Sequence, residues 1–283
     1  MHAIERISIE LTNRCDKACW FCYAGSEAAG TSRWSVAELV GLLEDLADHT
    51  LAAVSFGGGE PLQWPALFEL LAATRTIATQ TTSETGRKRR LFRSLTSNGL
   101  LLDEHFDRLR AAGPDKIHVS IHFPEREPEV ARVIEQVDRI AAAGIASGVN
   151  LLVRRSRLDA AQRAFATLAA AGIGPERIVL LPMRGMDTPS AEQVAKVAGG
   201  PRFQSMTCLS ACAISPRFCA IGWDRRVGWC SYTTERRPLA ESSWAGLQAA
   251  LDGLGLRWCG GSEVDDEPKL VGLPRSISPA SRR

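Results

Sequence analysis

From Ile4 to about Met183 the chain alternates short runs of β-branched and apolar residues with longer amphipathic stretches that end in glycine. A period-two run followed by a helical-period run, repeated, is the pattern of β/α units around a parallel sheet. Strands are predicted near 4–11, 52–57, 94–98, 116–122, 147–154 and 177–182. Ser35 followed by Glu38 forms a capping box that opens a helix over 36–49. Gly113, Gly144 and Gly172 each close an alanine-rich helical run and suit the left-handed position just past a helix end.

Strand faces add to this. Side chains alternate along a strand, so Ile117, Val119 and Ile121 share one face while His118, Ser120 and His122 share the other. The first strand divides likewise, Ile7, Ile9 and Leu11 against Arg6, Ser8, Glu10 and Thr12, and the fifth sets Asn150 and Arg154 to one side. A parallel sheet sandwiched by helices is apolar on both faces. A polar face fits a curled sheet with helices outside and a wet cavity within. The predicted fold class is therefore α/β, a partial (β/α)6 TIM-type barrel, left open because it has six strands and not eight. Sites in such folds gather at the C-terminal ends of the strands.

Domain organisation follows. The barrel core is expected over 1–190, a small cysteine-rich β-hairpin/helix extension over 200–265, and a disordered Pro-, Ser- and Arg-rich tail over 266–283. Residues 83–93, SETGRKRRLFR, interrupt the second unit with positive charge and read as a solvated surface loop, the alternative being contact with an acidic peptide or another anion.

Composition narrows the class. With 45% hydrophobic and 23% charged residues the chain is ordinary for a soluble globular protein. A net charge of +2 gives no reason to expect a nucleic-acid partner. The N-terminus, MHAIERISIELTN, fits neither a secretory signal nor an anchor, and no apolar run is long enough to span a membrane. A cytoplasmic protein without membrane partners is expected.

Eight cysteines are then poorly explained by disulfides, because the cytosol keeps thiols reduced; metal ligation or redox chemistry is the better reading. Cys15, Cys19 and Cys22 stand together in CDKACWFC, directly after the first strand, whereas Cys208, Cys212, Cys219, Cys230 and Cys259 come late. Three thiolates on one short loop can hold three irons of a four-iron cluster and leave the fourth iron open to another ligand. A structural zinc site would want a fourth Cys or His nearby, and residues 1–48 offer only His2.

The CxxxCxxC spacing after the first strand, with Phe21 before its last cysteine, resembles the radical S-adenosylmethionine (radical SAM) superfamily. GGGEPL after the second strand strengthens the likeness, Gly58, Gly59 and Glu60 matching the stretch that holds the cofactor's amino group. Thr96-Ser97-Asn98-Gly99 is similar to the family's polar turn after the third strand, and Ser120 matches a position facing the cofactor's ribose or carboxylate. His122 stands where aspartate is frequent, which makes it a candidate for work on the substrate. His118 and His122 read equally well as hydrogen-bonded cavity residues. Arg154 can pair with the cofactor carboxylate or form a surface ion pair. Trp20 and Phe21 suit cluster packing or adenine stacking.

The resemblance implies a [4Fe-4S] cluster and S-adenosylmethionine as cofactors, with flavodoxin or ferredoxin as external one-electron donor. The implied reaction is reductive cleavage to a 5′-deoxyadenosyl radical that abstracts a hydrogen atom from the substrate. The segment from Cys208 to Tyr232 resembles the start of SPASM and twitch extensions, with a hairpin turning at Asp224-Arg225-Arg226, although Arg225 stands where a glycine is expected. That likeness implies an auxiliary [4Fe-4S] cluster on Cys208, Cys212, Cys230 and Cys259. Cys219 is then left as a buried thiol, a hydrogen donor to a substrate radical, or a replacement ligand for Cys208.

A peptide or protein side chain is the expected substrate. A small-molecule radical dehydrogenase or epimerase is the alternative, and a non-catalytic iron–sulfur or zinc module the alternative from another class. The first strand begins at about Ile4, so no separate N-terminal leader-binding module is expected.

Overall fold

The computed structural model describes residues 1–82, 88–200, 209 and 212–257. Strand β1 (Arg6–Thr12) leads to helix α1 (Val36–Ala47), and β2 (Ala53–Gly58) leads to α2 (Leu67–Ala73). An antiparallel pair, β3 (Ala78–Thr82) and β4 (Lys88–Arg90), comes before β5 (Phe92–Ser97) and α3 (Leu102–Ala112). Then follow β6 (Lys116–Ile121) with α4 (Glu127–Ala142), β7 (Ala146–Val153) with α5 (Leu158–Ala170), and β8 (Ile178–Pro182) with α6 (Ala191–Val197). The C-terminal part adds β9 (Phe218–Ile221), β10 (Arg226–Gly228), β11 (Arg237–Pro238) and α7 (Trp244–Leu251).

All but β3 and β4 form one sheet in the order β11-β10-β9-β1-β2-β5-β6-β7-β8. The six strands of the β/α units run parallel and in chain order, and the sheet does not close, so the partial barrel expected from the sequence is the fold observed. Local chemistry explains the element ends. Ser35 Oγ accepts from the Glu38 N–H at 3.3 Å while the Glu38 carboxylate accepts from the Ser35 N–H at 3.2 Å. Gly113, Gly144 and Gly172 have φ of +60°, +77° and +81°, which only glycine adopts at little cost.

Register makes the two faces explicit. Ile9, Phe56, Leu95 and Ile117 align across β1, β2, β5 and β6 and are buried in the apolar core. On the alternate positions Ser8, Ser55 and Ser94 stand side by side, and Ser120 pairs with Asn150. His118 lies against Gly148, where an added Cβ would stand 2.6 Å from the imidazole, so the glycine makes room for the ring.

The basic stretch expected as a surface loop departs from that reading. Lys88–Arg90 is a strand whose exposed side chains flank a backbone paired with β3, and Phe92 already opens β5. Three consecutive cations give no apolar alternation, so nothing in their pattern marks a strand.

The late hairpin forms as expected, β9 and β10 pairing antiparallel, and it docks on the free edge of β1, with β9 parallel to it. At its turn Arg225 has φ +65°, a left-handed conformation that favours glycine. Its guanidinium bonds Glu38 and Ser242 Oγ, each at 2.8 Å, and lies 5.5 Å over the Trp34 ring. These contacts offset the backbone strain. Cys208, Cys259 and the tail 266–283 lie outside the described residues. Among the described residues no helix is long and apolar enough to cross a membrane.

Candidate active site

The cysteine loop leaves the C-terminal end of β1 and is tied at its neck by Asn13. The Asn13 N–H donates to Thr31 O at 3.0 Å, the Asn13 side-chain oxygen accepts from the Thr31 N–H at 2.6 Å, and the Glu27 N–H donates to Asn13 O at 3.0 Å. Inside the loop the Cys15 N–H donates to Glu27 O at 2.9 Å and the Cys22 N–H to Cys19 O at 3.0 Å. The three thiols are half-buried. Burial pushes the Cys19 thiol up to about 12 and also raises Cys15. Free thiolates are therefore disfavoured, and the donor set suits a cation that neutralises them, as iron does. Among the described residues no three His, Cys, Asp or Glu side chains converge as ligands of a single ion do. Thiolates that each hold a separate iron of a cluster need no such convergence.

The end of β2 is stitched to this loop. The Gly59 N–H donates to Thr12 O at 2.7 Å and the Glu60 N–H to Arg14 O at 2.8 Å. Such close approach excludes side chains: a Cβ at Gly58, where φ is +115°, would lie 2.4 Å from Thr12 O, and one at Gly59 2.2 Å from Arg14 O. Glu60 is buried, 1% exposed, and accepts from the Asn98 N–H at 2.7 Å, Ser97 Oγ at 2.9 Å and the Leu62 N–H at 3.1 Å. Burial raises its pKa, against the lowering effect of these bonds. The Asn98 side-chain N–H in turn reaches Cys15 Sγ at 3.5 Å. Thus the ends of β2 and β5 and the first cysteine, three motifs distant in sequence, form one hydrogen-bonded group.

On the other side of the mouth the Phe21 ring lies 5.5 Å from Phe123 and 6.2 Å from His122, with the Arg154 guanidinium 6.0 Å from it. Arg154 is 5% exposed, pairs with Glu125, and keeps a buried Nε without a hydrogen-bond partner. The His122 N–H donates to Glu129 Oε1 at 2.7 Å, and its ring Nδ1 is buried without a partner. Burial holds the His122 imidazole down to about 3 and that of His118 to about 4, so both are neutral across the physiological range. Ser120 is buried on the polar face beside Asn150. A cavity of about 680 Å³ opens here, lined among others by Lys17, Trp20, Phe123, Arg126 and Arg154.

Phe21, Gly58, Gly59, Glu60, Asn98, Ser120, His122 and Arg154 are therefore brought to one end of the barrel with Cys15, Cys19 and Cys22. Cys219 is not. It pairs in register with Ile7, is fully buried in the apolar core, and its thiol pKa is raised by burial alone. Cys212 is exposed, and Cys230 is half-buried with its Sγ accepting from the Tyr232 N–H at 3.5 Å. Tyr232 meets Tyr23, the residue after Cys22, at 4.5 Å between ring centroids. Lys17, Glu125 and Glu129 also reach this mouth, and no motif in the sequence marks them. Lys17 Nζ lies 2.8 Å from Glu129 Oε1, both side chains being buried, and no local pattern connects positions so far apart.

Fold and site together define an open (β/α) barrel with the cysteine loop, the Gly58-Gly59-Glu60 turn and Asn98 gathered at its C-terminal mouth. The chain belongs to the radical SAM superfamily, whose family model matches residues 9–197. That family uses a [4Fe-4S] cluster and S-adenosylmethionine.

The PqqA peptide cyclase of Gluconobacter oxydans (strain 621H) is 27% identical over 244 residues, covering 77% of this chain and 64% of the relative. The GTP 3′,8-cyclase of Chlorobaculum tepidum is 28% identical over 124 residues, 44% of this chain and 34% of the relative. The chain thus spans less than two thirds of these curated relatives. Among solved structures, Streptococcus suis SuiB bound to S-adenosylmethionine matches with a TM-score of 0.66 at 12% identity, over 89% of this chain and 67% of that one. The enzyme anSMEcpe with bound AdoMet and the Cp18Cys peptide matches with a TM-score of 0.60 at 14% identity, over 86% and 80% of the two chains. At these identities the structural likeness speaks for the fold.

Proposed function

We propose that Cys15, Cys19 and Cys22 hold a [4Fe-4S] cluster, that S-adenosylmethionine binds between the cysteine loop and the strand ends, and that the substrate is a peptide or protein side chain. Held there, the cluster and S-adenosylmethionine would supply the one-electron chemistry by which a hydrogen atom is abstracted from the substrate. The observation that carries this reading is the hydrogen-bonded group of Glu60, Asn98 and Cys15, which puts a buried carboxylate beside the thiol loop.

The chain's own residues divide the remaining work. Glu60 offers a carboxylate to the cofactor's ammonium, with Gly58 and Gly59 admitting close backbone approach. Arg154, with an unpartnered buried Nε, offers a cation to its carboxylate. Asn98 and Ser120 offer polar contacts, and Phe21 an aromatic face. His122, neutral and at the mouth, contacts the substrate as a hydrogen-bonding imidazole. Cys219 acts as a core thiol, consistent with its place among apolar side chains. Residues 200–265 form the auxiliary unit, with Cys208, Cys212, Cys230 and Cys259 as ligands of a second cluster, and the electron donor is a flavodoxin or ferredoxin. A peptide substrate is supported by the PqqA peptide cyclase and by the anSMEcpe structure with its bound peptide.

Anaerobic reconstitution with iron and sulfide tests the reading. About eight irons per chain are expected if both clusters form and about four if only the first does. Addition of S-adenosylmethionine and dithionite is expected to yield 5′-deoxyadenosine. Retention of zinc with no iron uptake would overturn it.

A further inference from the structure

Lys17 lies between two of the loop cysteines, yet its side chain is only 7% exposed and its ammonium sits 2.8 Å from the carboxylate of Glu129, itself 8% exposed. Glu129 belongs to the first turn of α4 and also accepts from the backbone N–H of His122. Removing both charges from water is costly, and a buried ion pair is a poor means of stabilising a fold. This pair also has a direction. Lys17 stands on the cysteine loop itself, two residues from both Cys15 and Cys19, whereas Glu129 reaches its ammonium from α4. The dipole of the pair therefore points its positive end at the cysteine loop.

We propose that the Lys17–Glu129 pair sets the reduction potential of the cluster on Cys15, Cys19 and Cys22, with Lys17 raising it and Glu129 limiting that rise. The inference rests on the assignment of those cysteines to the cluster. Reduction adds one electron from the external donor and no proton, so the site gains a negative charge. A nearby cation stabilises the reduced form and a nearby carboxylate opposes it, and burial strengthens both effects. The two members of the pair thus act with opposite sign. Lys17→Met leaves the carboxylate uncompensated and lowers the potential. Glu129→Gln leaves the ammonium uncompensated and raises it. Lys17→Arg keeps the charge and stays near the wild type. A pair that merely latched the loop to α4 would loosen it in either variant and move both potentials the same way.

The test is a spectroelectrochemical titration of the anaerobically reconstituted full chain at one neutral pH, with iron counted on each sample. Shifts in opposite directions are expected for Lys17→Met and Glu129→Gln. Each should change the ratio of reduced to oxidised cluster at fixed poise roughly tenfold, or about 59 mV for a one-electron couple. Shifts of the same sign, or unchanged potentials at wild-type iron content, would overturn the proposal. If Lys17→Met takes up no iron, Glu129→Gln and Lys17→Arg still decide: a raised potential in the first and an unchanged one in the second support it, and any other result does not. A wild-type chain that loads no four-iron cluster overturns the cysteine assignment itself, an outcome distinct from a loaded cluster with the wrong shifts.

Discussion

Replacing Cys15, Cys19 and Cys22 together by alanine is expected to leave a folded chain that takes up no cluster at the barrel mouth and forms no 5′-deoxyadenosine. The fold survives because the loop is held by its backbone and by Asn13, whose bonds to Thr31 and Glu27 do not involve the thiols. The side-chain bond lost is the long one from Asn98 to Cys15 Sγ. Core residues such as Ile9, Leu11 and Phe56 are untouched. With each thiolate proposed to hold a separate iron, function does not survive, because residues that act as a unit are strongly non-additive. Each single replacement should cost nearly as much as the triple one. Iron analysis, thermal melting by circular dichroism and mass-spectrometric assay of 5′-deoxyadenosine check this together; product formed by the triple variant would sink the assignment.

The second large effect is expected at Glu60. In Glu60→Gln one of the two buried oxygens becomes an amide nitrogen, so the bonds from the Asn98 N–H and from Ser97 Oγ with the Leu62 N–H cannot all be kept. The negative charge for the cofactor's ammonium is lost as well. Breaking a buried charge-assisted pair costs about 2–3 kcal/mol, or roughly 30- to 150-fold in affinity. Equilibrium binding of S-adenosylmethionine to the reconstituted protein reads this directly, and an unchanged affinity would contradict the role given to Glu60.

The pH dependence has a definite sign. Burial raises the Glu60 pKa above its ordinary value. Without cofactor, the group's contribution to stability is full below the ordinary carboxylate range and is lost as pH rises through the raised pKa. The proposed pairing of Glu60 with the cofactor's ammonium runs the other way: it needs the ionised form, so affinity for S-adenosylmethionine is expected to fall on mild acidification, and Glu60→Gln to remove that dependence.

What the sequence revealed and what it hid follow from the range of each interaction. The six β/α units were legible because periodicity and helix-ending glycines such as Gly113 are local signals. The cysteine loop, the Gly58-Gly59-Glu60 turn and Asn98 were legible because each lies in a short contiguous motif at a strand end. The hairpin of β9 and β10 was visible, but its docking on β1 was not, because that pairing joins residues some two hundred positions apart. The same pairing decides Cys219, since alternation alone does not say which face of an isolated strand meets the apolar core. Arg154 was recognisable on the polar face, whereas its partner Glu125 was not, and Lys17 and Glu129 meet across 112 positions.

Cys15, Cys19 and Cys22 are proposed to hold a cluster whose remaining iron is open to S-adenosylmethionine. Electron paramagnetic resonance of the anaerobically reconstituted, dithionite-reduced protein, recorded with and without S-adenosylmethionine, tests it most directly. A reduced-cluster signal that changes on addition of the cofactor is expected in the wild type, and no such signal from the mouth site in the triple cysteine variant. A fully loaded cluster whose signal is unchanged by S-adenosylmethionine would contradict it.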